Sequence, residues 1–244
     1  MVDIHCHILP GVDDGPRSWK VAIQMGKMAS EDGIEHIVAS PHANRRFPYD
    51  RAALAALIEE LRRQLGRRPE LSLGCDFHLS YENYLALLDN PSRFTIGNTP
   101  YLLVELDDYS LPASLSDNLE ELILKGLVPI ITHPERNPLL REDLSRVLKW
   151  VELGCLVQVT ADSLTGRWGP LARSAVEWLI KHKAIHVIAT DAHGVSSRPP
   201  ILSKAWRELV ALSDEFLARA LAIENPLAIV RGEKLPHCPV PVSI

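Results

Sequence analysis

Two histidines one residue apart open the chain in Asp3-Ile-His5-Cys-His7, and the same spacing returns near the far end in Asp191-Ala-His193. Between them lie Ser40-Pro-His42, Gly74-Cys-Asp76, Glu105 with Asp107 and Asp108 just beyond it, and His133-Pro-Glu135-Arg136. Residues i and i+2 of an extended strand point the same way, so His5 and His7 can reach one ion. Neutral imidazole and carboxylate together suit zinc, iron or manganese, and no cysteine pattern points to a structural zinc site. His5, His7, His42, His133 and His193, with at least four carboxylates, exceed the three or four protein ligands of a single catalytic ion, so two or three ions are expected. Any one of these histidines alone is more often a hydrogen-bonded structural residue. Together, with an HxH and a DxH among them, they read as a metal centre.

Such a centre can lower the pKa of a water to supply hydroxide, while its ions and nearby arginines stabilise charge on a phosphoryl group. Arg136 stands three residues after His133, and Arg198 five after His193. Both are close enough to reach an anion, and guanidinium forks match phosphate geometry. Arg17, Arg45 and Arg46, with Phe47 and Tyr49, would give the rim a basic and aromatic character suited to an aromatic phosphate ester on an acidic peptide. An ordinary solvated loop explains them equally well. His78 is left open between pocket and structure, while His36, His182, His186 and His237 are assigned to structure or solvent.

The elements that must position these groups are read from alternation of short apolar runs with longer amphipathic ones. Strands are expected at Val2–His5, His36–Ser40, Leu71–Cys75, Tyr101–Leu106, Val128–Thr132, Cys155–Thr160 and Ile185–Thr190. Helices fit between them at Ser18–Asp32, Asp50–Leu65, Tyr81–Leu88, Ser114–Lys125, Arg141–Leu153 and Pro170–Lys181, and Pro199–Leu212 and Ser213–Ala222 close the chain. Strict alternation implies parallel strands joined by right-handed crossovers, hence a barrel or a nearly closed sheet. In that architecture the candidate ligands fall at the C-terminal strand ends, on one face, although they lie up to about 190 positions apart in sequence. The sixth strand ends without an HxH or DxH pair. Its loop, Thr160 to Arg167, is expected to be structural or substrate-facing, with Asp162 as a cap.

Composition bounds the remaining possibilities. A chain of 244 residues that is 46% hydrophobic and 23% charged can build one large core, so residues 1–244 are read as a single domain with an extended tail from about residue 235. The net charge of -5 argues against a broadly positive nucleic-acid-binding surface. No apolar stretch approaches the about 18 to 20 residues of a membrane span, which argues against membrane insertion, and the start lacks the features of a secretory signal, so a cytoplasmic location is the default. Cys6, Cys75, Cys155 and Cys238 form no CxxC pair, and none is followed by an arginine at the Cys-x5-Arg spacing of a thiolate phosphatase. A homo-oligomer is compatible with the sequence, but the helix faces give no decisive interface signal.

The ordered motifs DIHCH, DDG, SPH, GCD, VEL, THPER and TDAH, followed by RPP, resemble the polymerase and histidinol phosphatase (PHP) superfamily. Within it the chain is similar, from Met1 to about Arg231, to the manganese-dependent bacterial protein tyrosine phosphatases found with capsule and exopolysaccharide synthesis. The resemblance implies a distorted TIM-like (β/α)7 barrel with three metal ions. By motif position, His5, His7, Asp76 and Asp191 would hold the first ion, Asp76 with Glu105 and His133 the second, and Asp14, His42 and His193 the third. Asp13 is the alternative to Asp14. Family members often carry Glu where this chain has Asp76, which shortens the side chain at the bridge. The resemblance further implies attack on phosphotyrosine by hydroxide, with Arg136 and Arg198 holding the phosphate, and as partner the phosphorylated C-terminal tail of a tyrosine autokinase. The alternatives are a small-molecule phosphatase such as histidinol phosphatase, a nuclease, and a non-catalytic phosphopeptide-binding module.

Overall fold

The computed structural model describes residues 1–242. Nine parallel strands alternate with helices: β1 (Val2–Cys6), α1 (Trp19–Glu31), β2 (His36–Ala39), β3 (His42–Ala43), α2 (Arg51–Leu65), β4 (Glu70–Leu73), β5 (Asp76–His78), α3 (Tyr81–Asp89), β6 (Tyr101–Glu105), α4 (Leu115–Leu124), β7 (Val128–Thr132), α5 (Pro138–Glu142), α6 (Ser145–Leu153), β8 (Leu156–Thr160), α7 (Ala161–Leu164), α8 (Gly169–Lys181), β9 (Val187–Ala189), α9 (Ser203–Leu212), α10 (Glu215–Arg219) and α11 (Asn225–Arg231). The expected seven strands become nine because two short strands, β3 and β5, follow the expected ends of the second and third. Pro41 has no N–H to give the ladder between β2 and β3. Between β4 and β5, Gly74 lies so close to the interior that an added Cβ would stand 2.7 Å from Val38 Cγ1.

The strands form two parallel sheets, β1-β2-β4 and β3-β5-β6-β7-β8-β9. β3 and β5 continue β2 and β4 beyond Pro41 and Gly74, so the sheets run into one another. Beyond the tip of β9, Asp191 N donates to His5 O at 2.8 Å and His7 N to Ala192 O at 2.9 Å, which brings the last strand to the first. The result is a distorted, TIM-like α/β arrangement with all C-terminal strand ends on one side.

Alternation decides which residues reach that side's centre. Leu103 of β6, Leu156 of β8 and Val187 of β9 belong to one inner apolar cluster, whereas their neighbours Val104, Val157 and Ile188 belong to the outer one beneath the helices. Glu105, Gln158 and Asp191 follow the inner residues at intervals of two, so they continue the inward face upward. β1 starts with Val2 and Ile4 inward, and on strict alternation His5 would point out. A bulge reverses this: Asp3 pairs with Ile37 and Cys6 with Ala39, three positions against two, and Cys6 lies in the outer cluster. His5 and His7 are thereby turned to the interior. Thr190 N holds Asp3 Oδ1 at 3.0 Å, tying β1 to β9 below the site.

Three expectations about elements change. The helix over Arg141–Leu153 is two, α5 and α6, because Asn137 and Asp143 side chains each accept from a following backbone N–H and start a separate turn. Asp162 is no cap; it lies inside α7, and its Oδ2 is 3.5 Å from Arg167 NH1. The end of the chain carries a further helix, α11, after a π-helical turn at Ala220–Glu224. Part of the tail is anchored through His237 N to Asn225 Oδ1 at 3.0 Å; residues 243 and 244 lie outside the described residues. Among the described residues no helix is long and apolar enough to cross a membrane.

Candidate metal centre and phosphate site

Three of the imidazoles at the strand ends have one nitrogen fixed from behind. His5 Nδ1 donates to Gln158 Oε1 at 2.9 Å, His7 Nδ1 to Asp13 Oδ2 at 2.7 Å, and His193 Nδ1 to the Asp191 carbonyl at 2.9 Å. That arrangement fixes the tautomer and turns each Nε2 lone pair toward the centre, as in metal-bound histidines. His5 Nε2 and His7 Nε2 lie 3.2 Å apart. Asp191 Oδ1 is 3.4 Å from the first and 3.3 Å from the second. Asp76 Oδ2 is 3.5 Å from His5 Nε2 and 3.1 Å from His42 Nδ1, so even its short side chain reaches the middle of the cluster.

Four groups of potential ligands can each meet at a point: His7, Asp14, His42 and His193; His5, His7 and Asp76; His5, His133 and Asp191; and His42, Asp76 and Glu105. His5, His7, Asp14, His42, Asp76, Glu105, His133, Asp191 and His193 all fall in these groups, whereas Asp3 is taken by Thr190 and Glu135 accepts from Thr160 N at 2.8 Å. Glu105 and His133, assigned by resemblance to one ion, both line the cavity beside Arg136. Asp13 and Asp14 separate cleanly. Asp13 takes His7 Nδ1 and the backbone N–H groups of Gly15 and His42, whereas Asp14 Oδ1 stands 3.2 Å from His193 Nε2 and 3.4 Å from His42 Nε2.

The residues fit bound cations by two observations. His42 Nδ1, His193 Nε2 and both carboxylate oxygens of Asp76 are buried without a hydrogen-bond partner, and each faces the centre. Buried polar atoms without partners are rare unless another ligand takes them. His133 and Asp191 moreover adopt positive φ angles of 35° and 50°, a strained backbone at the strand tips that directs both side chains inward.

Electrostatics point the same way. Burial raises the cost of charge on Asp76 and Asp191, yet the imidazoles around them, and for Asp191 also Arg136 and Arg198, hold both carboxyls well below the usual range. For His133, burial and then the Arg136 charge push the imidazole down to about 3, which keeps it neutral. On His7 burial acts in the same direction but is outweighed by Asp13, raising it to about 9.

Beside the imidazoles, Arg136 and Arg198 both donate to Asp191 Oδ2, the oxygen opposite the one that faces His5 and His7. Trp168, which sequence reasoning missed, lies against the pair: Arg136 Cζ is 3.9 Å and Arg198 Cζ 5.6 Å from its ring centroid. A cavity of about 130 Å³ opens there, lined by Glu105, Asp108, His133, Arg136, Arg141 and Trp168. On the other side of Glu105 a groove of about 1000 Å³ is lined by Arg45, Arg46, His78, Asp107 and Tyr109. His78 Nδ1 is 3.6 Å from Glu105 Oε2, so this histidine belongs to the pocket. Tyr49 does not: it is buried and its hydroxyl donates to Gly74 O at 2.8 Å, while Phe47 stacks on His42 with centroids 5.9 Å apart. Cys6, Cys75 and Cys155 are buried, which accords with small strand residues rather than nucleophiles. A separate apolar pocket of about 420 Å³ near Phe216 and Leu217 has no comparable convergence of ligands.

Comparison with known proteins agrees with this geometry. YwqE of Bacillus subtilis, named a tyrosine-protein phosphatase, is 33% identical over 241 residues, covering 96% of this chain and 93% of its own. CpsB of Streptococcus pneumoniae, with the same designation, is 23% identical over 242 residues, covering 96% and 99%. A solved structure from work on YwqE and CpsB, described there as unique metal-dependent tyrosine phosphatases, superposes with a TM-score of 0.92 at 31% identity over the full length of both chains. Residues 1–231 match the family described as capsular polysaccharide synthesis, CpsB/CapC, and the chain therefore belongs to it.

Proposed function

We propose that this protein is a metal-dependent protein tyrosine phosphatase. The observation that carries the reading is the meeting of two arginines, Arg136 and Arg198, on Asp191 at the edge of a buried cluster of imidazoles and carboxylates. Two or three divalent ions would be held by His5, His7, Asp14, His42, Asp76, Glu105, His133, Asp191 and His193, with manganese as the working ion; a donor set of imidazole and carboxylate without thiolate supports it over softer metals. When bound, such ions supply Lewis acidity toward phosphoryl oxygens and a nucleophile at neutral pH.

The chain's own residues do the rest. Arg136 and Arg198 present guanidinium donors to the phosphoryl oxygens and orient phosphorus above the cluster. Asp191 keeps the two positive charges together before the substrate arrives. Asp13 and Gln158 hold the His7 and His5 rings from behind. A phenolate, with a conjugate-acid pKa of about 10, leaves more readily than an alkoxide, so no acid need be provided.

The substrate class follows from family membership and the open groove: a phosphotyrosine on a flexible acidic segment, such as the C-terminal tail of a tyrosine autokinase governing polysaccharide export, with Arg45 and Arg46 on the groove wall. This reading places the protein in the cytoplasm, where ATP-dependent phosphorylation occurs. It treats residues 1–244 as one catalytic domain, supported by two parallel sheets bridged at Cys6 and Ala192. Catalytic efficiency of the manganese-loaded protein should be greater on a phosphotyrosine peptide than on histidinol phosphate. A preference for histidinol phosphate would redirect the assignment to a small-molecule phosphatase.

A further inference from the structure

Trp168 occupies an unusual position for a large aromatic residue. It is 40% exposed, on a short turn bracketed by Gly166 and Gly169, whose φ angles are 84° and 85°. Arg167 secures the turn to the loop carrying Arg198, donating to Ser197 O at 2.6 Å. The indole is thereby kept against Arg136 and Arg198, 3.9 Å and 5.6 Å from their Cζ atoms.

Two guanidiniums sharing one carboxylate oxygen repel each other, and something must hold their planes in register once a phosphate competes for them. A second carboxylate would do so by consuming N–H donors and cancelling the charge that phosphate needs. An indole face attracts a guanidinium electrostatically yet takes up none of its donors, because it acts on the plane of the cation and leaves the edges free. It also covers one side of the pair from water, and Coulomb attraction to an anion increases as solvent is excluded.

We propose that Trp168 is a positioning residue of the phosphate site: it acts through Arg136 and Arg198, setting their planes and preserving their donors for the phosphoryl oxygens. The inference rests on the phosphatase reading for its substrate, but its own signature is anion affinity rather than turnover.

The experiment measures binding of inorganic phosphate to manganese-loaded protein by calorimetry, for wild type, Trp168→Ala and Trp168→Phe, each also in an Arg136→Ala background. Trp168→Ala should weaken phosphate about three- to tenfold, the scale of one or two partly exposed cation–π contacts. Trp168→Phe should recover most of it, and Trp168→Ala should add little once Arg136 is gone. Unchanged phosphate affinity in Trp168→Ala, or an equal further loss in the Arg136→Ala background, would overturn the proposal. Loss confined to a phosphotyrosine peptide, with phosphate affinity intact, would overturn it too, by showing that the indole contacts the substrate's ring instead. Absence of turnover in the wild type would count against the phosphatase reading alone, since phosphate affinity is read without turnover.

Discussion

His5 Nε2 and His7 Nε2 approach to 3.2 Å in the interior of the strand-end cluster, while the opposite nitrogen of each ring is taken by Gln158 or Asp13. Two lone pairs so directed repel unless a proton or a cation lies between them. Without metal the proton does this: burial alone would drive it off His7, but Asp13 outweighs burial and raises the imidazole to about 9.

Metal loading at pH 7 should therefore release protons. Because the group that must lose a proton titrates near pH 9, apparent metal affinity should rise with pH, about tenfold per unit for each proton displaced, and level off above that value. Calorimetric titration with manganese in buffers of different ionisation enthalpy reads the proton count directly. A count of zero at pH 7 would contradict the assignment.

Asp13 is predicted to matter without touching an ion. Asp13→Ala should weaken metal binding about 10- to 100-fold, by freeing the His7 ring. The effect should be largest in equilibrium dialysis at low metal and recede at saturating manganese. A variant inert at all manganese concentrations would mean that Asp13 is itself a ligand, in place of Asp14.

Arg136→Lys should not substitute for arginine, because an ammonium lacks the planar fork that meets a phosphoryl group. Arg136→Ala and Arg198→Ala should each lower kcat/KM about 10²- to 10³-fold with bound metal retained. Metal analysis alongside kinetics checks both halves. Loss of metal in either variant would show that the arginine supports the ligand Asp191 rather than the substrate.

His186 offers a test of stability away from the site. It is buried, accepts from Val157 N through Nδ1, and is pushed down to about 4 by burial, with His237 adding a smaller effect. In the unfolded chain it takes a proton near pH 6.5, so between these values the unfolded state binds more protons and stability falls as pH falls. The loss should reach the order of 3 kcal/mol by pH 4. His186→Asn keeps an acceptor for Val157 but cannot titrate, so denaturant unfolding from pH 7 to pH 4 should show a shallower decline. Equal declines in the two proteins would refute the shift.

Much of this was legible in the sequence because ligands at the ends of successive strands leave short polar signatures, HxH and DxH, after apolar runs. Parity then fixes the inward face. What was not legible depends on local backbone events without a periodic signal. The bulge at Asp3–Cys6 turns His5 inward, and a two-residue strand, β3, resumes after Pro41 where none was expected. Tyr49 looked like a rim residue and is buried because its hydroxyl finds Gly74 O. Trp168 lies in a loop between two glycines, where neither pattern nor spacing distinguishes a positioning aromatic from a surface one.

The strand-end cluster is, on this reading, the centre of a metal-dependent phosphotyrosine hydrolase. The most direct measurement is phosphate release from a phosphotyrosine peptide by metal-stripped protein after manganese is restored, with His133→Ala and Arg136→Ala assayed beside it. Activity that is absent without metal, returns with manganese in the wild type and stays lost in both variants is the predicted result. Release that persists without any divalent ion, or no release with manganese, iron or zinc, would contradict it.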